Sequence, residues 1–384
     1  MTLGLIADYR PGSFLLTSPS RALLATGAQN VVDERDPDEL SAKVTKLVVD
    51  SDVPVAVGAL PFDDTAAPHV VLPRAVRWSG PVHPTGIHRP AVPAVLRVVP
   101  VPAPADHERA VATAVARLRA GELDKVVLAR TLRLHLAGAV DVVPLLANLA
   151  ADNATGYTYA VDLPAAGAGR RTLVGATPEM LLSRTGPVVV ANPLAGTIPR
   201  HPDPARDRLA ADELAASAKD LEEHRVVVET VIEALRPFCR TLTVPDGPSL
   251  ISTAAVWHLS TRITGELADP GISSLRLAAA LHPTPAVCGR PVARARETIA
   301  ELEPFDRGFY AGAIGWCDAD GDGQWVVGIR CAEITEPAPT ASSTMTLYAG
   351  GGIMPASEPH LELAETSAKL RTLLRAMGLD DLLP

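Results

Sequence analysis

Lys125-Val126-Val127-Leu128-Ala129-Arg130, continued by Leu132, Leu134 and Leu136 at every second position, decides how the chain is read. β-Branched residues open the stretch and alternating leucines extend it, which is the pattern of a β-strand with one face turned to a core. Its neighbours set the fold class. Upstream, Asp106 is placed to cap a helix through Arg109, Val111, Val115 and Leu118, with Gly121 just past its end. Downstream, strand patterns fall at 157–162, 171–175, 187–192, 309–318, 324–334 and 344–349, and long helical patterns at 206–235 and 359–376. Strands and helices do not alternate regularly, so the expected class is α+β rather than a doubly wound sheet.

Further upstream, prolines at 81, 84, 90, 93, 100, 102 and 104 remove backbone donors and make this stretch extended or a connector. The segment before it reads as short strands and helices without recognisable chemistry, and no internal repeat is visible. The 384 residues allow two ordinary domains or one large one. With 47% hydrophobic and 21% charged residues, the chain can bury a sizeable core; with only 4% aromatics, Leu, Val, Ile and Ala must build it. The net charge of −9 argues against nucleic acid or an anionic membrane as partner. It leaves a small anionic substrate open, because a local site can carry the opposite charge. Cys239, Cys288, Cys317 and Cys331 form no C-x-x-C pair and read as reduced thiols of a cytoplasmic protein. The N-terminus has no basic leader and no apolar run is long enough to span a bilayer, so a soluble protein is expected.

Several short clusters carry potential chemistry. Residues 318–323 match the first half of a calcium loop, but its twelfth position is Ile329 instead of a bidentate Glu, so a polar hairpin tip is expected. Gly350-Gly351-Gly352 lacks the spacing of a dinucleotide loop and reads as a tight turn, with or without an anion against its amides. Asp220, Glu223 and His224 share a helix face, with Lys219 one turn from Glu223. Glu362, Glu365 and Lys369 share another. On spacing alone, a solvated charged face is the plainer reading of each. Two carboxylates from separate helices could also share a hard cation such as Mg²⁺. Glu179, after Gly175-Ala176-Thr177-Pro178, is either an exposed turn carboxylate or an acid facing a cleft. Lys125 is either an edge-strand lysine reaching water or a buried base.

Taken in order, these segments resemble the chorismate-utilising enzymes, most closely the isochorismate synthase branch, with anthranilate synthase component I and salicylate synthase as further relatives. The resemblance rests on residues 125–130, 175–179, 193–197, 219–224, 258–261, 282–289, 309–312, 328–330 and 350–369. It implies a single large α+β fold of two packed β-sheets flanked by helices. Residues 103–384 would form the chorismate-binding catalytic core, and 1–102 a loosely matched N-terminal portion of the same fold. It implies Mg²⁺-dependent conversion of chorismate to isochorismate, water adding at C2 as the C4 hydroxyl departs. Lys125 would be the base and Glu179 the acid, which requires Lys125 neutral and Glu179 protonated near neutral pH. Glu223 and Glu365 would hold the metal, with Asp220 and Glu362 in a second acidic layer behind them. Tyr310, Arg330 and Lys369 would hold the enolpyruvyl carboxylate, with Gly350 and Gly352 allowing close backbone approach. Gly196, Thr197 and His258 would line the substrate pocket.

Within the superfamily, Ala286 stands where relatives that also expel pyruvate are expected to have Thr, which favours stopping at isochorismate. Salicylate synthase and a catalytically silent chorismate-binding protein are the alternatives. The resemblance implies no glutaminase partner, since water is the nucleophile, and a monomer is expected. Residues 283–289 also resemble synthases that feed catecholate siderophore pathways, with menaquinone and salicylate supply left open.

Overall fold

The Lys125–Leu136 strand pairs along its length with Ser343–Ile353, from Val126 against Ile353 to Leu136 against Ser343. These coordinates are a computed structural model that describes residues 3–82, 93–165, 169–253, 256–337 and 342–382. Part of the proline-rich stretch, 83–92, lies outside them; the rest includes a strand, Val95–Val101, on the other side of Lys125–Leu136.

Among the described residues a 17-stranded antiparallel ladder can be followed from this pair neighbour by neighbour, with the short Gly289–Arg290 strand beside Lys125 and Val126. Ser343–Ile353 passes to Cys331–Glu336, Arg170–Thr177, Tyr157–Leu163, Ser13–Thr17 and Ala22–Val32. His69–Ser79, Val55–Leu60, Ala313–Asp318, Gly323–Val327 and Met180–Thr185 follow. Val188–Asn192, Ile263–Leu267 and Cys239–Thr243 end it. The two halves of the ladder pack on one another. Side chains from one half, such as Leu16, Leu23, Tyr159 and Leu173, join Leu182, Val189 and Trp325 of the other in one buried cluster. Alternate residues point the other way, as a two-residue strand period demands. Leu15, Leu24, Val174, Ala332 and Leu347 pack beneath the helices Val142–Asp152 and Pro359–Met377. Leu370, Leu373 and Leu374 of the second helix are wholly buried there, each burial contributing about 1.5–3 kcal/mol. A separate three-stranded sheet of Leu194–Pro199, Val256–Ser260 and Ser249–Ser252 stands beside the Ala218–Leu235 helix. The α+β class and the two packed layers are thus present.

The structure corrects several local expectations. The helical run 206–235 is two helices, Pro204–Ala216 and Ala218–Leu235. Ser217 is extended between them (ψ 111°), and its hydroxyl accepts from the Asp220 amide as an N-cap. The helix assigned to Asp106 starts at Pro104 instead, because proline at a first helical position sacrifices no hydrogen bond. Gly121, left-handed at φ +75°, does follow its end. The strand expected at 309–318 begins only at Ala313, after a tight turn with Ala311 at φ +58°. The one expected at 324–334 is broken at 328–330, where Arg330 is left-handed at φ +50°. The three glycines 350–352 make no turn: they continue the Ser343–Ile353 strand, opposite Ala129, Leu128 and Val127. Residues 318–322 do form the tip of a hairpin, between Ala313–Asp318 and Gly323–Val327.

Candidate active site

The first residue of the Lys125 strand, the turn after Arg170–Thr177, the small sheet and the helices carrying Glu223 and Glu365 converge on one cavity of about 260 Å³. Lys125 is fully buried just behind its wall. Its Nζ lies 2.9 Å from Glu223 Oε1, an ion pair, yet it meets no acceptor with hydrogen-bond alignment among the described residues. Gly352 makes this pair possible, because a Cβ there would sit 2.2 Å from Glu223 Oε1 and 3.1 Å from Lys125 Cε. Burial pushes the Glu223 carboxyl up, but Lys125, Lys219 and Lys369 outweigh it and hold the group below its ordinary range.

Glu179 enters the cavity from the turn after Arg170–Thr177. Pro178 and Glu179 link two strands that are consecutive in the chain but unpaired in the sheet, and Glu179 is buried with its carbonyl tied to the Val327 amide. Burial raises its carboxyl to about 7, against the Leu194 amide and the charges of Lys125, Arg330 and Lys369, which lower it. Near neutral pH it therefore keeps a substantial protonated fraction, as an acid catalyst requires.

His258 lines the same cavity from the small sheet. Its Nδ1 faces Thr197 Oγ1 at 3.0 Å and the Gly196 carbonyl at 3.4 Å. A carbonyl only accepts, so the ring proton sits on Nδ1, and the buried Nε2 is left as an acceptor without a partner among the described residues. Burial, then Arg330 and Lys369, hold the imidazole far below its usual range, so it is neutral. His224 is not part of the cavity: it turns the other way, its Nε2 2.7 Å from Thr261 Oγ1.

Arg330, Tyr310, Lys369 and Gly350 form the cationic end. Arg330 is buried and lines the cavity, with no carboxylate within ion-pair distance among the described residues. Its left-handed backbone is a strained conformation for a side-chain-bearing residue, of the kind that gathers at functional sites. Tyr310 stacks on Tyr348 with centroids 4.8 Å apart. A Cβ at Gly350 would come within 2.7 Å of the Tyr310 hydroxyl. Lys369 donates to the Gly350 carbonyl at 2.8 Å and to Glu365 at 2.6 Å. Ala286 and Val287 supply an apolar wall.

Asp220, Glu223, Glu362 and Glu365 all line the cavity. Three lysines stand among them: Lys125 on Glu223, Lys369 on Glu365, and Lys219 at 3.4 Å from Glu362. Asp220 is held by the Ser217 hydroxyl. Glu362 is pushed up by burial and by the neighbouring Glu365, and its Oε2 is buried without a hydrogen-bond partner among the described residues. An orphaned carboxylate oxygen within a set of hard oxygen donors fits Mg²⁺. As arranged, no three His, Cys, Asp or Glu side chains among the described residues are gathered closely enough to ligate one ion.

Every site residue implied by the resemblance thus lies in or directly behind one cavity, while His224 and residues 318–323 lie outside it. Two features escaped that reading. Arg130, buried in the Lys125 strand, bonds Thr366 Oγ1 at 2.8 Å, the Leu363 carbonyl and the Ser367 hydroxyl, clamping the Glu365 helix. Glu303 and Arg307 form a buried pair under the Ala286–Val287 wall. In sequence both look like ordinary charges. Only the four-residue spacing of Glu303 and Arg307, next to a predicted strand, hinted at a pair.

The family described as "Chorismate binding enzyme" matches residues 88–378. Isochorismate synthase DhbC of Bacillus subtilis is 48% identical, over 98% of this chain and 96% of the relative. The crystal structure of a putative 2,3-dihydroxybenzoate-specific isochorismate synthase, DhbC, from Bacillus anthracis superposes with a TM-score of 0.91 at 44% identity, covering 98% of both chains. MenF, the menaquinone-specific isochorismate synthase from Escherichia coli, gives a TM-score of 0.80 at 25% identity, over 95% of this chain and 89% of that one. No helix among the described residues is long and apolar enough to cross a membrane. By its sequence, its fold and the contents of its cavity, the chain belongs to the chorismate-binding enzyme family.

Proposed function

We propose that the protein is an isochorismate synthase, converting chorismate to isochorismate with Mg²⁺. The observation that carries this reading is Glu179, buried in the cavity wall and held partly protonated near neutral pH, within electrostatic reach of the buried Lys125.

The substrate is a dianion, and the site answers it locally. Arg330 has no carboxylate at ion-pair distance among the described residues and can grip the enolpyruvyl carboxylate with two donors, aided by Tyr310 and Lys369. Lys125, in the role of base, takes a proton from water as the oxygen bonds to C2. The ring double bonds shift, the C4–O bond breaks, and Glu179 delivers a proton to the departing hydroxide. One water enters and one leaves. The unpartnered His258 Nε2 accepts from a substrate hydroxyl. Glu223 and Glu365 would hold Mg²⁺, with Asp220 and Glu362 behind them. When bound, the ion supplies charge neutralisation beside the ring carboxylate. Ala286 leaves the pyruvate-expelling branch without the Thr expected there. The product would serve 2,3-dihydroxybenzoate or menaquinone formation, the two specificities named for the Bacillus anthracis and Escherichia coli structures.

Chromatography of a mixture of protein, chorismate and Mg²⁺ tests this. Isochorismate is expected, and EDTA should stop its formation. Salicylate with pyruvate would refute the Ala286 argument. Anthranilate formed with ammonia would refute the branch, and chorismate binding without any product would make the protein a silent binder.

A further inference from the structure

Part of the cavity wall is also held from behind, by groups that do not line the cavity. Val127, Ala286, Val287 and Tyr310 line the cavity, and behind them lies one buried ion pair. Both side chains of Glu303 and Arg307 are 2% exposed. Glu303 follows the Val292–Leu302 helix, and Arg307 lies in the turn that leads to Tyr310.

The hydrogen bonds of this pair are directed outward to the wall. Arg307 Nε donates to Glu303 Oε2 at 2.9 Å and Nη2 to Oε1 at 2.5 Å. The same Nη2 donates to the Val127 carbonyl and Nη1 to the Val287 carbonyl, each at 2.8 Å. Glu303 Oε1 accepts the Ala129 amide at 2.7 Å. Four of the five guanidinium N–H groups are therefore spent, two of them on carbonyls of cavity-lining residues. The guanidinium also lies 5.7 Å from the centre of the Tyr310 ring and 4.4 Å from that of Phe62. Three chain segments that reach the cavity through Val127, Ala286–Val287 and Tyr310 are thus referred to one buried pair. A buried ion pair is weak support for stability as such, since an apolar pair of similar volume often replaces it without loss. Its fixed, planar fork is better suited to setting distances.

We infer that Glu303 and Arg307 are positioning residues for substrate binding, holding the Val127 and Ala286–Val287 wall and the Tyr310 ring at the distance chorismate requires. This rests on the functional reading above. Neither residue touches substrate, so the pair governs affinity and leaves proton transfer to Lys125 and Glu179.

Two variants of the full chain test it, by initial rates of chorismate consumption with Mg²⁺, product chromatography and thermal unfolding. Arg307→Lys keeps the charge and loses the two-carbonyl grip. Glu303→Gln with Arg307→Met removes the pair without leaving a buried lone charge. Each is expected to fold cooperatively, to raise KM for chorismate about tenfold or more, and to keep kcat within about threefold. A folded variant with wild-type KM overturns the inference, and so does a fall in kcat at unchanged KM. Failure of both variants to fold also overturns it, because the pair would then serve the fold instead of the pocket. No consumption by the wild-type protein sinks the functional reading and this inference with it. Normal wild-type turnover with an unmoved variant KM sinks this inference alone.

Discussion

Glu179 is the residue whose environment says most about its role. Its carboxyl is raised to about 7 chiefly by burial, so its acid form is depleted as pH rises through that value. Turnover should fall on the alkaline side of neutrality. Glu179→Gln should lose about 10²–10⁴-fold in kcat, the usual share of a positioned acid. An unchanged rate in that variant would remove Glu179 as the proton donor. The same shift acts on folding. The folded carboxyl holds its proton more tightly than the unfolded one, so its contribution to stability is full at low pH and is lost as pH rises through about 7. Unfolding measured across this range should show that slope, and Glu179→Gln should flatten it. Gly352 offers a second test at this scale. Its hydrogen occupies the space beside Glu223 and Lys125, and a methyl group 2.2 Å from Glu223 Oε1 must displace the carboxylate. Gly352→Ala should cut turnover about a hundredfold, the scale of a misplacement near 1 Å, with little change in melting temperature. Wild-type activity in that variant would show that the Lys125–Glu223 geometry is dispensable. The acidic and basic types at these positions were legible in sequence. Their burial was not, because it depends on strands more than a hundred residues apart.

At the scale of elements, the site depends on how the Glu365 helix is set against the Lys125 strand. Arg130 makes that connection through three polar atoms of residues 363–367, and it has no ion-pair partner among the described residues. Arg130→Met should therefore speed amide exchange over residues 362–369. It should also cost about 1.5–3 kcal/mol in denaturant unfolding, the range for hydrogen bonds to a charged group. Unchanged exchange would mean that leucine packing alone seats the helix. The alternating apolar residues that place Lys125–Leu136 in a sheet are read directly from the sequence. The break at Ser217 is not, because helical periodicity continues across it and a single capping hydroxyl creates the boundary. The glycines at 350–352 mislead for the opposite reason. Their composition favours a turn, but eleven paired positions with the Lys125 strand hold them extended.

For the whole molecule, the ladder order could not be read locally, since neighbours such as Ser13–Thr17 and Tyr157–Leu163 are far apart in the chain. The net charge of −9 also changes meaning once the site is seen. Part of the acidic excess is gathered at one cavity, where Lys125, Lys219, Lys369 and Arg330 offset it. A dianionic substrate and a divalent cation that bind only the folded chain should stabilise it together. At about a hundred times its dissociation constant each ligand contributes about 2.7 kcal/mol, seen as a raised melting temperature that EDTA lowers. Equal melting curves with and without EDTA would argue against a metal in the bound state. The most direct test of the proposed chemistry is conversion of chorismate in ¹⁸O-labelled water, followed by mass spectrometry of the isochorismate. One ¹⁸O, on the C2 hydroxyl, is expected; isochorismate carrying only the substrate's own oxygen would contradict attack by water activated at Lys125.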